Sequence, residues 1–190
     1  MERSSKFMSL SGLSGVLAGL YALVGAFLAY RVVYKEGSEF AVSNYDVSEP
    51  QVWSQLTLIA LIVLILSLAT MITLTLRQSK KSGEPFWNAG SKRLISNLAL
   101  PLITGGIFIV ILLYRGEYSM VTPACLLFYG LSLVSGSHYT FSDVKWLGIC
   151  EITLGLLCAL MPGYGILFWA IGFGILHILY GSIMHFKYKQ

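Results

Sequence analysis

The stretch LTLIALIVLILSLATMITLTL, residues 56–76, carries no charged residue and no glycine. Coiled as an α-helix it would be about 30 Å long, the thickness of a bilayer's hydrocarbon core. It is aliphatic on every side, so no face of it asks for water, and its threonines and serine can bond back to their own helix. This stretch is expected to be a membrane span with most of its surface toward lipid.

The rest of the chain reads the same way. Of 190 residues 56% are apolar and 12% charged, where a soluble domain carries about 25% charged residues to cover its surface. Six apolar runs reach or approach the roughly 17 to 25 residues needed to cross a membrane. They lie at approximately 9–30, 53–76, 94–114, 120–137, 144–161 and 164–185. All should be helices, because open backbone in lipid leaves its polar groups unsatisfied. The expectation is an all-α polytopic membrane protein, a bundle of six transmembrane helices forming one domain over residues 1–190. The opening MERSSKFMSLSGLSGVLAGLYALVGAFLAYR has a longer apolar run than a cleavable leader and no small-residue cleavage pattern, so it is expected to be retained as the first span.

The basic residues orient the chain. Arg3, Lys6, Arg77, Lys80, Lys81, Lys92, Arg93, Lys145, Lys187 and Lys189 fall on one side of such a threading, and Arg31, Lys35 and Arg115 on the other. Positive loops stay in the cytoplasm, which places both termini and the loop RQSKKSGEPFWNAGSKR (77–93) there. Phe86 and Trp87 in that loop suit the interface, and its cations suit anionic headgroups. The net charge of +4 therefore reads as topology rather than as a nucleic-acid surface. The opposite loop is acidic, with Glu36, Glu39, Asp46 and Glu49, and is expected to be a solvated linker. Arg115 and Glu117 are expected to form a surface pair.

Small residues mark where helices should meet, since in lipid close approach replaces hydrophobic burial as the driving force. The first span carries Ser11, Gly15, Ala18, Gly19, Ala22, Ala26 and Ala29, and the sixth carries Gly165, Gly172, Gly174 and Gly181. Besides the lipid bilayer, a second copy or another membrane protein could use these two faces. Pro101, followed by Thr104, Gly105 and Gly106, should kink or loosen the third span. LLFYGLSL (126–133) echoes HILYGSIM (177–184), which suggests that the hairpins 94–137 and 144–185 repeat one another.

One ionisable residue is out of place. In WLGICEITLGLLCALMP (146–162), Glu151 lies within an apolar run, roughly 9 Å beyond Lys145 along the helix. A charge at mid-span costs about 2.5 to 3.5 kcal/mol on insertion scales. Its helical neighbours are Leu147, Gly148, Leu154 and Gly155, so it belongs on a small-residue face turned toward another helix. His177 in the sixth span has similar surroundings, with Phe173, Gly174, Tyr180 and Gly181. Counted from the Pro162-Gly163 turn, the two lie within roughly 3 Å of the same depth. They are expected to hydrogen-bond across the hairpin, with Asn97 of the third span as a third member.

Stretch 147–184, an apolar helix, a Pro-Gly turn and a Gly-rich helix, resembles hairpins of the HdeD-type acid-resistance membrane proteins. That resemblance implies a small six-span protein of a bacterial inner membrane, and it transfers no functional residue. Cys125, Cys150 and Cys158 all fall inside spans and read as packing residues. His177 and His185 are too far apart on one helix to ligate a metal together, and His138 sits at the wrong depth for a haem partner, so no metal or cofactor is expected. No H-E-x-x-H, G-x-S-x-G or Walker pattern is present. Two functions remain open: a non-enzymatic membrane protein with an accessory, stress-related or partner-binding role, or a small transporter or channel subunit with a polar path past Glu151, His177 and Asn97.

Overall fold

The computed structural model describes residues 12–34, 50–83 and 87–188. Every regular element among them is helical: α1 (Gly12–Val33), α2 (Pro50–Ser82), α3 (Ala89–Arg115), α4 (Val121–Gly136), α5 (Asp143–Leu160) and a final helix in three parts. That helix starts as α6 (Gly165–Trp169), widens into a π-helical segment (Ala170–Leu176) and ends as α7 (His177–Tyr188). The cations Arg3, Lys6 and Lys189, residues 9–11 of the first span, the acidic stretch 36–49 and Phe86 lie outside the described residues.

Among the described residues five helices are long and apolar enough to cross a membrane: α1, α2, α3, α4 with its flanking turns, and the final helix. α5 has 18 residues but includes Asp143, Lys145 and Glu151. α2 and α3 outrun their expected spans. At 33 residues α2 is about 50 Å long, so it carries Arg77, Lys80 and Lys81 well past the apolar stretch. α3 starts at Ala89 because Asn88 caps it: the Asn88 side chain accepts from the Ser91 amide at 2.9 Å, and the Ser91 hydroxyl accepts from the Asn88 amide at 2.9 Å. It passes through Pro101 and ends at Gly116, whose φ of 74° is the left-handed cap that glycine adopts without strain.

Packing divides the helices into two groups of three. α1 packs along both α2 and the final helix, and α4 along both α3 and α5. The crossing of α1 with the final helix is backbone on backbone. A Cβ on Gly19 would lie 2.6 Å from the Gly174 carbonyl, and one on Gly181 would lie 2.6 Å from both the Gly12 carbonyl and the Val16 amide. The two small-residue faces expected to serve association thus meet each other within the chain. Gly130 of α4 and Gly148 of α5 make the matching contact in the other group. α2 lies against α1 through Gly25 on Val63 and a 3.3 Å hydrogen bond between the Tyr21 and Thr70 hydroxyls. Thr75 is its one buried residue among those described, which fits a helix turned mostly toward lipid.

The groups touch where the final helix runs against α4 and α5 and where Trp53 of α2 stacks on Tyr118 at 4.2 Å, and the seam along the final helix is more sparsely packed than either group. The echoing glycines Gly130 and Gly181 share a role at close crossings but with different partners, α5 and α1. The two hairpins are accordingly packed unequally, α3 closely on α4 and α5 loosely on the final helix. Arg115 and Glu117 form no ion pair. Instead Lys187 reaches Asp143 at 2.8 and 3.0 Å, joining the last turn of α7 to the first turn of α5.

Candidate functional site

Glu151 sits in the middle of that seam and is fully buried. On one side of it along α5 lies an apolar cluster of Leu126, Cys158 and Phe168, and on the other a cluster of Leu133, Val144 and Leu147. Each cluster draws on both α4 and α5, so the glutamate is held between two greasy plugs. Gly148 and Gly155, which flank it at helical spacing, press against α4: a Cβ on Gly148 would come 2.7 Å from the Gly130 carbonyl, and one on Gly155 would come 2.8 Å from the Leu127 side chain. With those positions on α4, the carboxyl is directed at the final helix.

There it meets Gly172. A Cβ on that residue would be 2.6 Å from Oε2 of Glu151 and 2.6 Å from Leu126, so the carboxyl occupies the space a side chain would need. His177 Nδ1 lies 3.5 Å from Oε1. Among the described residues neither carboxyl oxygen has a hydrogen-bond partner, and the neighbouring base is the His177 ring. A buried polar group without partners is costly.

The imidazole is fixed at both nitrogens. Nδ1 is 3.0 Å from the Gly172 carbonyl, and Nε2 is 2.7 Å from the Tyr129 hydroxyl. A carbonyl can only accept, so Nδ1 carries a hydrogen. In the neutral ring Nε2 then accepts from the Tyr129 O–H, and in the charged ring it donates to the same oxygen. The residue bonded by Nδ1 is five back in sequence, the spacing of a π turn. Widening of the helix between Ala170 and Leu176 is what lets His177 reach past its own turn to Gly172. Phe173 stacks obliquely between Trp169 and His177, and against Tyr129, so aromatic rings surround the imidazole.

The structure therefore brings Glu151 and His177 together but without the expected hydrogen bond, because Nδ1 gives its hydrogen to the Gly172 carbonyl, and it places Asn97 elsewhere. Asn97 donates its side-chain amide to the Arg93 carbonyl of its own helix at 2.8 Å, a bond that α3 satisfies without α5 or the final helix. The third member on the imidazole is Tyr129. Its sequence signal was a phenol amid apolar residues in LLFYGLSL, at a position the echo pairs with Tyr180. A cleft of about 400 Å³ opens elsewhere, between the start of α2 and the end of α3, lined by Trp53, Thr57, Leu61, Leu113 and Tyr118 among others. Among the described residues, no three His, Cys, Asp or Glu side chains converge as metal ligands would.

Chemically the arrangement can hold a proton between an acid and a base, brace three helices, or do both. The class that the fold and the site define is an all-helical chain, with several helices long and apolar enough to cross a membrane and a buried acid–base pair where they meet. Compared with known proteins, the chain matches no protein-family model, no curated protein and no solved structure.

Proposed function

We propose that this is a non-enzymatic six-span membrane protein, with α5 as the sixth span and both termini in the cytoplasm, whose Glu151–His177–Tyr129 cluster is a polar clasp between helices. The accessory, stress-related or partner-binding role suits it better than transport. One observation carries this reading: the carboxyl of Glu151 is fully buried, so no water-sized space touches it. A permeation path needs such a space, whereas a clasp works best without one. The hydrogen bond between Tyr129 and His177 is of a kind that contributes about 0.6 kcal/mol on average and up to about 2, enough to help set register between α4 and the final helix. The HdeD-like hairpin pattern and the basic-loop count support the bacterial inner membrane and the orientation.

The transporter reading keeps one specific support, the π-helical segment beside an unsatisfied carboxyl, since π turns often sit at functional sites. Reconstitution separates the two. Proteoliposomes bearing the wild-type chain should show no more proton or cation flux than empty ones. Flux that disappears in a Glu151→Leu/His177→Leu double variant would establish the path instead. Accessibility of single cysteines introduced near each terminus checks the orientation, and labelling of both from the periplasmic side would overturn it.

A further inference from the structure

We infer that the Glu151–His177 pair is a proton-binding site, filled while the final helix is closed on α4 and α5 and emptied when that seam opens. The inference rests on the clasp reading above and adds its ligand.

Size decides what the ligand can be. Glu151 is fully buried and His177 only 7% exposed, and Gly172 has no side chain because the carboxyl fills its place. No hydrated ion or organic molecule fits between them. A proton does. The pair carries one proton more than its fully deprotonated form in either of two arrangements, a carboxyl beside a neutral imidazole or a carboxylate beside an imidazolium. Both are neutral overall. Removing that proton leaves a net negative charge among Leu126, Phe168, Leu133 and Leu147, in surroundings that cannot solvate it.

Among the described residues the neighbours offer no substitute cation. From α4 the ionisable side chain at the pair is Tyr129, and from the final helix it is His177. Tyr180 of α7 packs on the Leu133–Val144–Leu147 cluster and Cys158 of α5 on the Leu126–Phe168 cluster. α1, which packs on the π segment, brings Tyr21, and that hydroxyl bonds Thr70 of α2. The ends of the hairpin carry Lys187 and Asp143, and these are bonded to each other. The carboxylate's one remaining source of stabilisation is water, and water reaches it only if the seam parts.

The seam is built to part. The final helix is closely packed on α1 but sparsely on α5, so α1, α2 and the final helix can move as one group against the other three. Of the two connections between the groups, the turn from α5 to the final helix contains Gly163 at φ 96°, a backbone conformation that glycine adopts freely. When the groups separate, the carboxyl O–H breaks, its electron pair stays on the glutamate oxygen, and the proton passes to an entering water. His177 stays neutral, bonded to Gly172 and Tyr129.

The test uses the full chain in lipid nanodiscs, with protons as the probe. Infrared spectra collected from about pH 4 to about pH 10 should show a protonated-carboxyl band that is lost as pH rises and is missing in Glu151→Gln. Cys158, buried on the α5 side of the seam against Leu126 and Phe168, reports opening in a Cys125→Ala/Cys150→Ala background. Its alkylation rate relative to Glu151→Gln at the same pH should rise at least about tenfold, the equivalent of one pH unit, as the band disappears. Absence of a Glu151-dependent band at every pH overturns the inference, and so does a band lost with no rise in alkylation. If Glu151→Gln does not fold, His177→Asn, which keeps a donor for Gly172 but cannot take a proton, must move the titration of the band. An unmoved titration overturns the inference. The clasp itself is judged separately, by the stability of the double Leu variant, so either idea can fail alone.

Discussion

Gly181→Ala tests the packing that positions the clasp. The new Cβ would lie 2.6 Å from two backbone atoms of α1, the Gly12 carbonyl oxygen and the Val16 amide nitrogen, and 3.0 Å from the Gly15 carbonyl carbon. None of these is a side-chain end that can swing aside, so the helices must separate until the contact reaches about 3.4 Å, a shift of roughly 0.8 Å. A gap of about 0.5 to 1 Å forfeits a quarter to a half of each contact's dispersion energy, and in lipid that energy is most of what holds two helices together. Overpacking of this kind costs about 1 to 3 kcal/mol. Because the strain falls on backbone, the upper half of that range applies, about 2 to 3 kcal/mol, or roughly a 30- to 150-fold fall in the folded ratio. Equilibrium unfolding in mixed micelles measures it, with Gly106→Ala as the control. Gly106 has nothing within 4 Å of its virtual Cβ, so alanine there should be neutral or gain up to about 1 kcal/mol from helix propensity. If the two variants unfold alike, the α1–final helix crossing is not the close contact described above.

The same assay reads three further substitutions. Tyr129→Phe removes the hydroxyl at 2.7 Å from His177 Nε2 and should cost about 0.6 to 1.7 kcal/mol without altering helix content by circular dichroism. His177→Leu leaves the Tyr129 hydroxyl and the Gly172 carbonyl without their partner and should cost about 1 to 3 kcal/mol, whereas Glu151→Leu/His177→Leu, which also removes the unpartnered carboxyl, should recover part of that loss. A double variant as unstable as the single one would mean that packing rather than polarity governs the site. Lys187→Ala removes an ion pair whose lysine side chain is about half exposed, so its effect should stay below about 1 kcal/mol and vanish when the comparison is made in high salt.

The helices were legible because lipid removes the usual ambiguity: an uncharged run of about twenty residues has one way to satisfy its backbone. The ends of α2 and α3 were not, since an apolar count stops where hydropathy stops. A helix continues for as long as its backbone bonds do, through Arg77 to Ser82 in one case and back to the Asn88 cap in the other. The stripe Gly15, Ala18, Gly19, Ala22 in the first span announced close approach but not the partner. Composition says that a face is smooth, and only the three-dimensional arrangement says that α7 rather than a second copy covers it.

The site shows the same limit at finer scale. The depth and inward turn of Glu151 follow from glycines at helical spacing, a rule that holds because α5 is an ordinary α-helix. The environment of His177 cannot be read by that rule. At 3.6 residues per turn, side chains five apart point about 140° away from each other, so Gly172 and His177 should lie on different faces. In the structure Nδ1 of His177 bonds the Gly172 carbonyl, and the carboxyl of Glu151 fills the place of the missing Gly172 side chain. A π turn has inserted what amounts to an extra residue, and nothing in the pattern AIGFGIL announces one. The cause lies in the partner helices: a buried acid needs both a base and room, and the widened turn supplies His177 for the first and Gly172 for the second. Local propensity alone would have kept a regular helix, so the departure from regularity points to the residue that demands it, Glu151.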